Sequence, residues 1–134
     1  AECMKQLLLK EPERILRSYP PMLCGGTNQR VALALAMVME PDLILADEPT
    51  SALDVTVQAE VVKAMENMKK VTNAAILMVT HNMGVVAQMA DKVGVMQSGK
   101  VVERGTAEEV LLHPVHDYTK MLMSCVLRME TEDE

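Results

Sequence analysis

The 134-residue sequence predicts an α/β layered fold with a mainly parallel sheet. Short apolar runs of strand type recur at residues 43–46 (LILA), 74–80 (AAILMVT) and 91–97 (DKVGVMQ). Helical patterns lie between and around them, and the turn pair Ser98-Gly99 follows the third run. The length suits one domain with a real core, and 49% apolar residues support it.

Residues 1–10 read as a short helix and 12–17 as another, with Pro12 at the first helical position, where its missing N–H is harmless. YPPMLCGG (19–26) is a break. From Thr27, TNQRVALALAMVM becomes apolar on every side, which predicts a helix buried all round, ended by Pro41 and Asp42. LILA predicts a fully buried strand. DVTVQAEVVKAMENMKK predicts a surface helix, with Val57, Val61, Met65 and Met68 on one face opposite Gln58, Glu60, Glu66, Lys69 and Lys70. AAILMVT predicts a second buried strand, MGVVAQMA a short helix, and DKVGVMQ a third strand that turns at Ser98-Gly99 into KVVERG.

TAEE (106–109) is a capping box for the next helix, because the Thr106 hydroxyl and the Glu109 carboxylate can satisfy each other's end of the backbone. A last helix covers about residues 117–128. The expected divisions are a helical part at 1–40, core strands and helices at 41–105, C-terminal helices at 106–128 and an acidic tail at 129–134. There is no internal repeat and no low-complexity linker.

Composition narrows the function classes. With no Phe or Trp, two Tyr and 13 Met, the core falls to Leu, Val, Ala and flexible thioethers, which fill gaps easily and specify one packing weakly. The Met set reads as core filler. Thirteen basic and 19 acidic residues give a net charge of −6, which argues against a nucleic-acid surface. The longest apolar run, residues 31–39, is too short to cross a bilayer, and no secretory-signal pattern opens the chain, so a cytoplasmic protein is expected. Cys3, Cys24 and Cys125 are scattered, which favours neither a disulfide framework nor a zinc site.

Ligands of an open parallel sheet bind beyond the carboxyl ends of its strands. Asp47 and Glu48 sit at that end of the first strand, and Thr80-His81 at that end of the second. Asp is a hard oxygen ligand suited to Mg²⁺, Glu can orient or deprotonate a water, and His can contact a terminal phosphate, so the set suits phosphoryl transfer. The plain alternative is a carboxylate pair that only ends a strand and caps the next turn.

LILADEPTSALD, with LCGG upstream at the start of a helix, resembles the ATP-binding cassette (ABC) ATPases. RSYPPMLCGG, ALDVTVQAEV, VTHNMGVVAQMADKVGVMQSGKVVERG and HPVHDYTKML are similar to the subunits that power oligopeptide and dipeptide importers, and the resemblance covers about residues 11–122. It implies a truncated fold of the P-loop NTPase type. Asp47 would be the Walker B magnesium ligand, Glu48 the catalytic base, Ser51 to Asp54 the loop that communicates across a dimer, and His81 the switch histidine. Leu23, Cys24, Gly25 and Gly26 would form the signature motif, whose N–H groups face the γ-phosphate of ATP held by a partner subunit. Cys24 stands where Ser is usual, and its weaker donor costs about 1 kcal/mol at that contact. Asn82 stands where Asp is usual, and Thr27-Asn28 replace a commoner polar pair.

The family's phosphate-cradling loop, G-x-x-x-x-G-K-[ST], has one near match, GVMQSGKV at 94–101. Val101 offers no hydroxyl for Mg²⁺ and the residues after Lys100 read as strand, so this stretch is expected to be a hairpin. The resemblance therefore implies a C-terminal half, with the Walker A strand and loop, the base-stacking aromatic and the glutamine loop upstream of residue 1. The parent family uses ATP with Mg²⁺ or another divalent metal, and pairs with a second ABC ATPase subunit and with membrane permeases. ATP binding by this chain alone is expected to be poor.

The missing central strand predicts self-association, with a third strand repacked onto the second as the alternative. Two other functions are open: a stand-alone metal-dependent phosphoester hydrolase using Asp47, Glu48 and His81, and a non-catalytic module that pairs with an intact ABC subunit. His113 and His116 are a weaker metal candidate. Cys24, at a helix N-terminus, is the cysteine whose thiol pKa could be lowered, but it reads first as a plain small-residue substitution.

Overall fold

A computed structural model describes residues 2–131, and side chains as far as residue 125. It divides into two compact units, Ala1–His81 and Asn82–Glu134.

The first unit runs α1 (Glu2–Gln6), α2 (Pro12–Leu16), a 3-10 turn (Pro20–Met22), α3 (Gly25–Val38), β1 (Leu43–Asp47), α4 (Val55–Val71) and β2 (Ala75–Val79). The two strands are parallel, with Leu43 opposite Ala75 and Asp47 opposite Val79, and α4 is the crossover between them. Asp54 starts α4, its carboxylate accepting from the Val57 N–H at 2.9 Å. The helices pack chiefly on one another. A Cβ at Gly26 would run into the Val57 side chain, so α3 approaches α4 closely there. Leu7, Val61, Met65 and Met68 are fully buried, with Met4, Leu9, Ile15, Leu33 and Met37 around them. The helical stripe foreseen on α4 is buried from Val61 through Met68, whereas Val57 is half-buried.

Three sequence expectations are corrected in this unit. The helix expected from Thr27 begins at Gly25 and ends at Val38, capped by Met39, short of Pro41. It is not buried all round, because Leu35 and Val38 are exposed. The strands are not fully buried either: Ile44 is the buried residue of β1, while Leu43, Leu45, Leu77 and Val79 are all more than half exposed. With α1, α3 and α4 packed largely on each other, no layer among the described residues covers the outer face of the ladder.

The second unit runs α5 (Met83–Met89), β3 (Lys92–Gln97), β4 (Lys100–Thr106), α6 (Ala107–Leu112) and α7 (Asp117–Thr131). β3 and β4 form the expected hairpin, antiparallel from Lys92 opposite Thr106 to Gln97 opposite Lys100, with a bulge between Val95 and Met96. Ser98 (φ 49°) and Gly99 (φ 77°) both take the left-handed conformation that a tight hairpin turn of matching twist requires. The near match to a phosphate loop is this hairpin: Lys100 opens β4 and Val101 pairs with Met96. The hydrogen-bonded partner of β3 is β4, and that of β2 is β1.

The capping box is present, with Glu109 N–H donating to Thr106 Oγ1 at 3.2 Å and Thr106 N–H donating to Glu109 Oε2 at 2.8 Å. Glu103 on β4 accepts the N–H groups of Val115 and His116, at 2.7 and 3.0 Å, and so anchors the start of α7. α7 continues through residues 129–131 of the expected acidic tail, and residues 132–134 of that tail lie outside the described residues.

Candidate functional site

The parallel register sets the site. Because Asp47 is opposite Val79, the chain leaves both strands at the same end, and Glu48 emerges beside Thr80-His81. The Glu48 N–H donates to the Val79 carbonyl at 2.8 Å and extends the ladder by one bond. Glu48 then turns sharply, with φ 44°, and the Ser51 N–H closes back on the Glu48 carbonyl at 3.1 Å. Pro49 and Thr50, the central residues of this turn, are buried, and Glu48 is half-buried.

The turn aims Glu48 at His81. Glu48 Oε1 lies 2.8 Å from His81 Nδ1, with the imidazole largely exposed. A carboxylate only accepts, so in this contact Nδ1 is the donor and Nε2 is the ring nitrogen left out of it. One carboxylate oxygen of Glu48, Oε1, is thus oriented. Asp47 is exposed at the strand end. Asp54 is committed as the α4 cap, while Ser51 is exposed on the turn.

The signature residues follow the 3-10 turn. Leu23 is half-buried, Cys24 is the exposed N-cap of α3 in extended conformation, and Gly25 and Gly26 form the first helical turn with their N–H groups directed out of the helix start. Cys24 Sγ is 2.9 Å from Thr27 Oγ1. That side-chain contact, followed by the Thr27 N–H, holds the thiol below its ordinary pKa. Asn28 Nδ2 donates to the carbonyls of Pro20 (3.0 Å) and Leu23 (3.4 Å) and fixes the segment against α3. A cavity of about 610 Å³ opens beside Cys24, Thr27 and Arg30, away from the Glu48–His81 pair.

Sequence reasoning missed Gln29 and Arg30. Gln29 Nε2 donates to the Pro49 carbonyl at 2.7 Å, which ties α3 to the carboxylate turn. Arg30, buried, donates to Glu60 (2.9 Å) and to the carbonyls of Gly26 (3.3 Å) and Leu8 (3.4 Å). The available signal was a polar pair placed just ahead of the apolar run of α3.

Among the described residues, no three His, Cys, Asp or Glu side chains converge as a metal site, so Asp47, Glu48 and His81 do not form a preassembled centre. Of the His113–His116 pair, His116 accepts the Tyr118 N–H through Nδ1 at 3.2 Å. A Mg²⁺ ion that keeps most of its waters and takes the rest of its ligands from substrate phosphates needs only one or two carboxylates, and exposed Asp47 fits that requirement.

The sequence pattern of the family described as ABC transporter matches residues 1–51, a span that includes the Leu23–Gly26 segment, Asp47 and Glu48. The metal-staphylopine import system ATP-binding protein CntD of Staphylococcus aureus is 49% identical over 123 residues, which cover 92% of this chain and 45% of that protein. The chain belongs to the ABC transporter family. The oligopeptide transport ATP-binding protein OppD of Haemophilus influenzae is 44% identical across 100% of this chain and 42% of its own length. The dipeptide transport ATP-binding protein DppD of Bacillus subtilis is 42% identical over 91% of this chain and 36% of its own length. This ABC family chain thus spans less than half the length of these relatives. Its fold matches a solved structure, described as the dimeric post-hydrolysis state of the ATP-binding cassette MJ0796 bound to ADP and Pi. The TM-score is 0.63 at 30% identity, covering 79% of this chain and 44% of that one. No helix among the described residues is long and apolar enough to cross a membrane.

Proposed function

We propose that the chain supplies the signature and hydrolytic elements of a peptide-type ABC importer ATPase, working at the cytoplasmic face of the membrane beside permease subunits. The observation that carries this reading is the 2.8 Å contact between Glu48 and His81 at the common end of two parallel strands. Glu48 is the base toward the attacking water. His81 holds one of its oxygens through Nδ1, which leaves Nε2 for a terminal phosphate. Asp47 would hold Mg²⁺, which supplies charge neutralisation at the phosphates. The N–H groups at the start of α3 face a phosphate from a second subunit, with Cys24 in place of a hydroxyl donor. Ser51 through Asp54 would meet that subunit.

The phosphate-cradling loop is not in this sequence, so turnover by the chain alone is expected to be weak, and hydrolysis needs a subunit that brings nucleotide. The exposed outer face of the β1–β2 ladder further supports association, with a second copy or with such a subunit.

The test is phosphate release from Mg-ATP by the chain, alone and with a complete cassette of the oligopeptide-importer type, using wild type, Glu48→Gln and Asp47→Ala. Enhanced turnover in the mixture, lost in Glu48→Gln, is expected. Metal-dependent cleavage of simple phosphoesters by the chain alone, lost in Asp47→Ala, would replace this reading with a stand-alone hydrolase. Binding to the cassette without any Glu48-dependent turnover would leave a non-catalytic pairing module.

A further inference from the structure

The turn that carries Glu48 has a shape its sequence does not favour. Glu48 (φ 44°) and Ala52 (φ 59°) both place a residue with a Cβ in the left-handed region. Such conformations persist only where surrounding contacts over-determine them. Two backbone bonds brace Glu48 itself, from its N–H to Val79 and to its carbonyl from Ser51.

The next peptide group is braced from another element. Pro49 has a fixed φ and no N–H, so its carbonyl is the one backbone group by which that residue can be tethered. Gln29 Nε2 donates to that carbonyl at 2.7 Å, in a part-buried setting where water competes poorly. Gln29 lies on the first turns of α3, three residues beyond Gly26, and neighbouring Arg30 pins the same helix to Glu60 on α4.

We infer that Gln29 is a positioning residue for Glu48. Its carboxamide holds the Pro49 peptide so that Glu48 keeps its left-handed backbone and its carboxylate stays aimed at His81. The aim of the base is thereby tied to the position of the helix that carries residues 23–26. This inference rests on the reading of Glu48 as the base, yet its test needs no nucleotide.

The test compares the full chain with Gln29→Leu, which keeps the bulk and loses the donor, by NMR with hydrogen exchange. Exchange at the Glu48 and Ser51 amides should quicken by about tenfold, the effect of losing roughly one hydrogen bond's bracing. The Glu48 carboxyl carbon and the His81 ring resonances should shift together, while amides at residues 61–65 of α4 keep their protection. Gln29→Lys, which restores a donor of similar reach, should return both signals. Unchanged exchange and resonances in Gln29→Leu would overturn the inference, as would an equal loss of protection across α4 or failure of Gln29→Lys to restore the signals. If these signals respond as expected but Glu48→Gln leaves the mixed ATPase intact, the functional reading fails and the positioning role stands.

Discussion

Arg30 on α3 and Glu60 on α4 meet at 2.9 Å with unequal burial: the Arg30 side chain is 11% exposed and Glu60 54%. The guanidinium also serves the carbonyls of Gly26 and Leu8, so it joins the α1–α2 loop, α3 and α4. Removing it orphans several acceptors and strips packing, whereas removing Glu60 exposes the site to water. Arg30→Ala should therefore cost about 2 to 3 kcal/mol and Glu60→Gln about 0.5 to 1 kcal/mol. Urea unfolding of both variants checks the asymmetry, and equal losses would contradict it.

ATP affinity of the chain alone should be poor. Most charge-assisted contacts to a triphosphate come from the loop whose near match here is the β3–β4 hairpin, and each is worth roughly 1.5 to 3 kcal/mol. Titration calorimetry with Mg-ATP should detect no sub-micromolar site, and finding one would overturn the assignment of residues 94–101 as an inert hairpin.

Two carboxyls of the second unit predict how its stability depends on pH. Glu103 is held below its ordinary pKa by the nearby Thr119 side chain and by the Val115 and His116 amides, although the buried Thr119 hydroxyl is not in strict hydrogen-bond geometry with any partner. The two amides are, and they carry the clasp. Glu109 is lowered by the Thr106 N–H and then by its hydroxyl. With folded values depressed, each carboxylate stabilises the unit fully above the ordinary carboxylate range, and that stability drains away as pH falls through the folded values. Melting followed through residues of α6 and α7 should thus fall from pH 6 to pH 3. Glu103→Gln should flatten part of that decline, and an unchanged slope would mean that the clasp is not what titrates.

Cys24 should be the most readily alkylated thiol at neutral pH. It is exposed, and its lowered pKa comes first from Thr27. Thr27→Val should move the midpoint of the iodoacetamide rate profile of Cys24 upward and slow the reaction at pH 7. A midpoint that does not move would assign the shift to the helix start alone.

The order of elements was legible because turn signals bound each apolar run, and the capping box and Ser98-Gly99 hairpin because each is fixed by residues next to one another. That Glu48 and His81 share one end of the sheet was legible from the rule for parallel strands, and the resemblance supplied their roles; the contact itself was not, since 33 residues separate the pair and only the parallel register brings them together. Gln29 and Arg30 reach 20 and 30 residues along the chain, and no spacing rule exposes that. Burial was misjudged for one physical reason. An apolar run such as LILA shows that a face favours cover, and it does not show what supplies the cover.

That uncovered face makes the last prediction. Leu45 and Leu77 are paired across the parallel ladder and are 70% and 58% exposed, with Leu43 and Val79 of the same strands at 52% and 57%. Leu35 and Val38 of α3 are exposed in the same unit. Each strand also has one edge unpaired among the described residues, a template for another strand. At roughly 25 cal/mol per Å² of apolar surface, hiding even half of such residues in a dimer contributes several kcal/mol. Light scattering at micromolar concentration should therefore report a dimer or larger species. The pair Leu45→Lys and Leu77→Glu places charge on the face without touching the buried core, so it should shift the chain toward monomer while leaving the helical circular dichroism unchanged. A wild-type chain that stays monomeric at these concentrations would show that the exposed ladder does not drive self-association, and would leave a complementary cassette subunit as the partner for this surface.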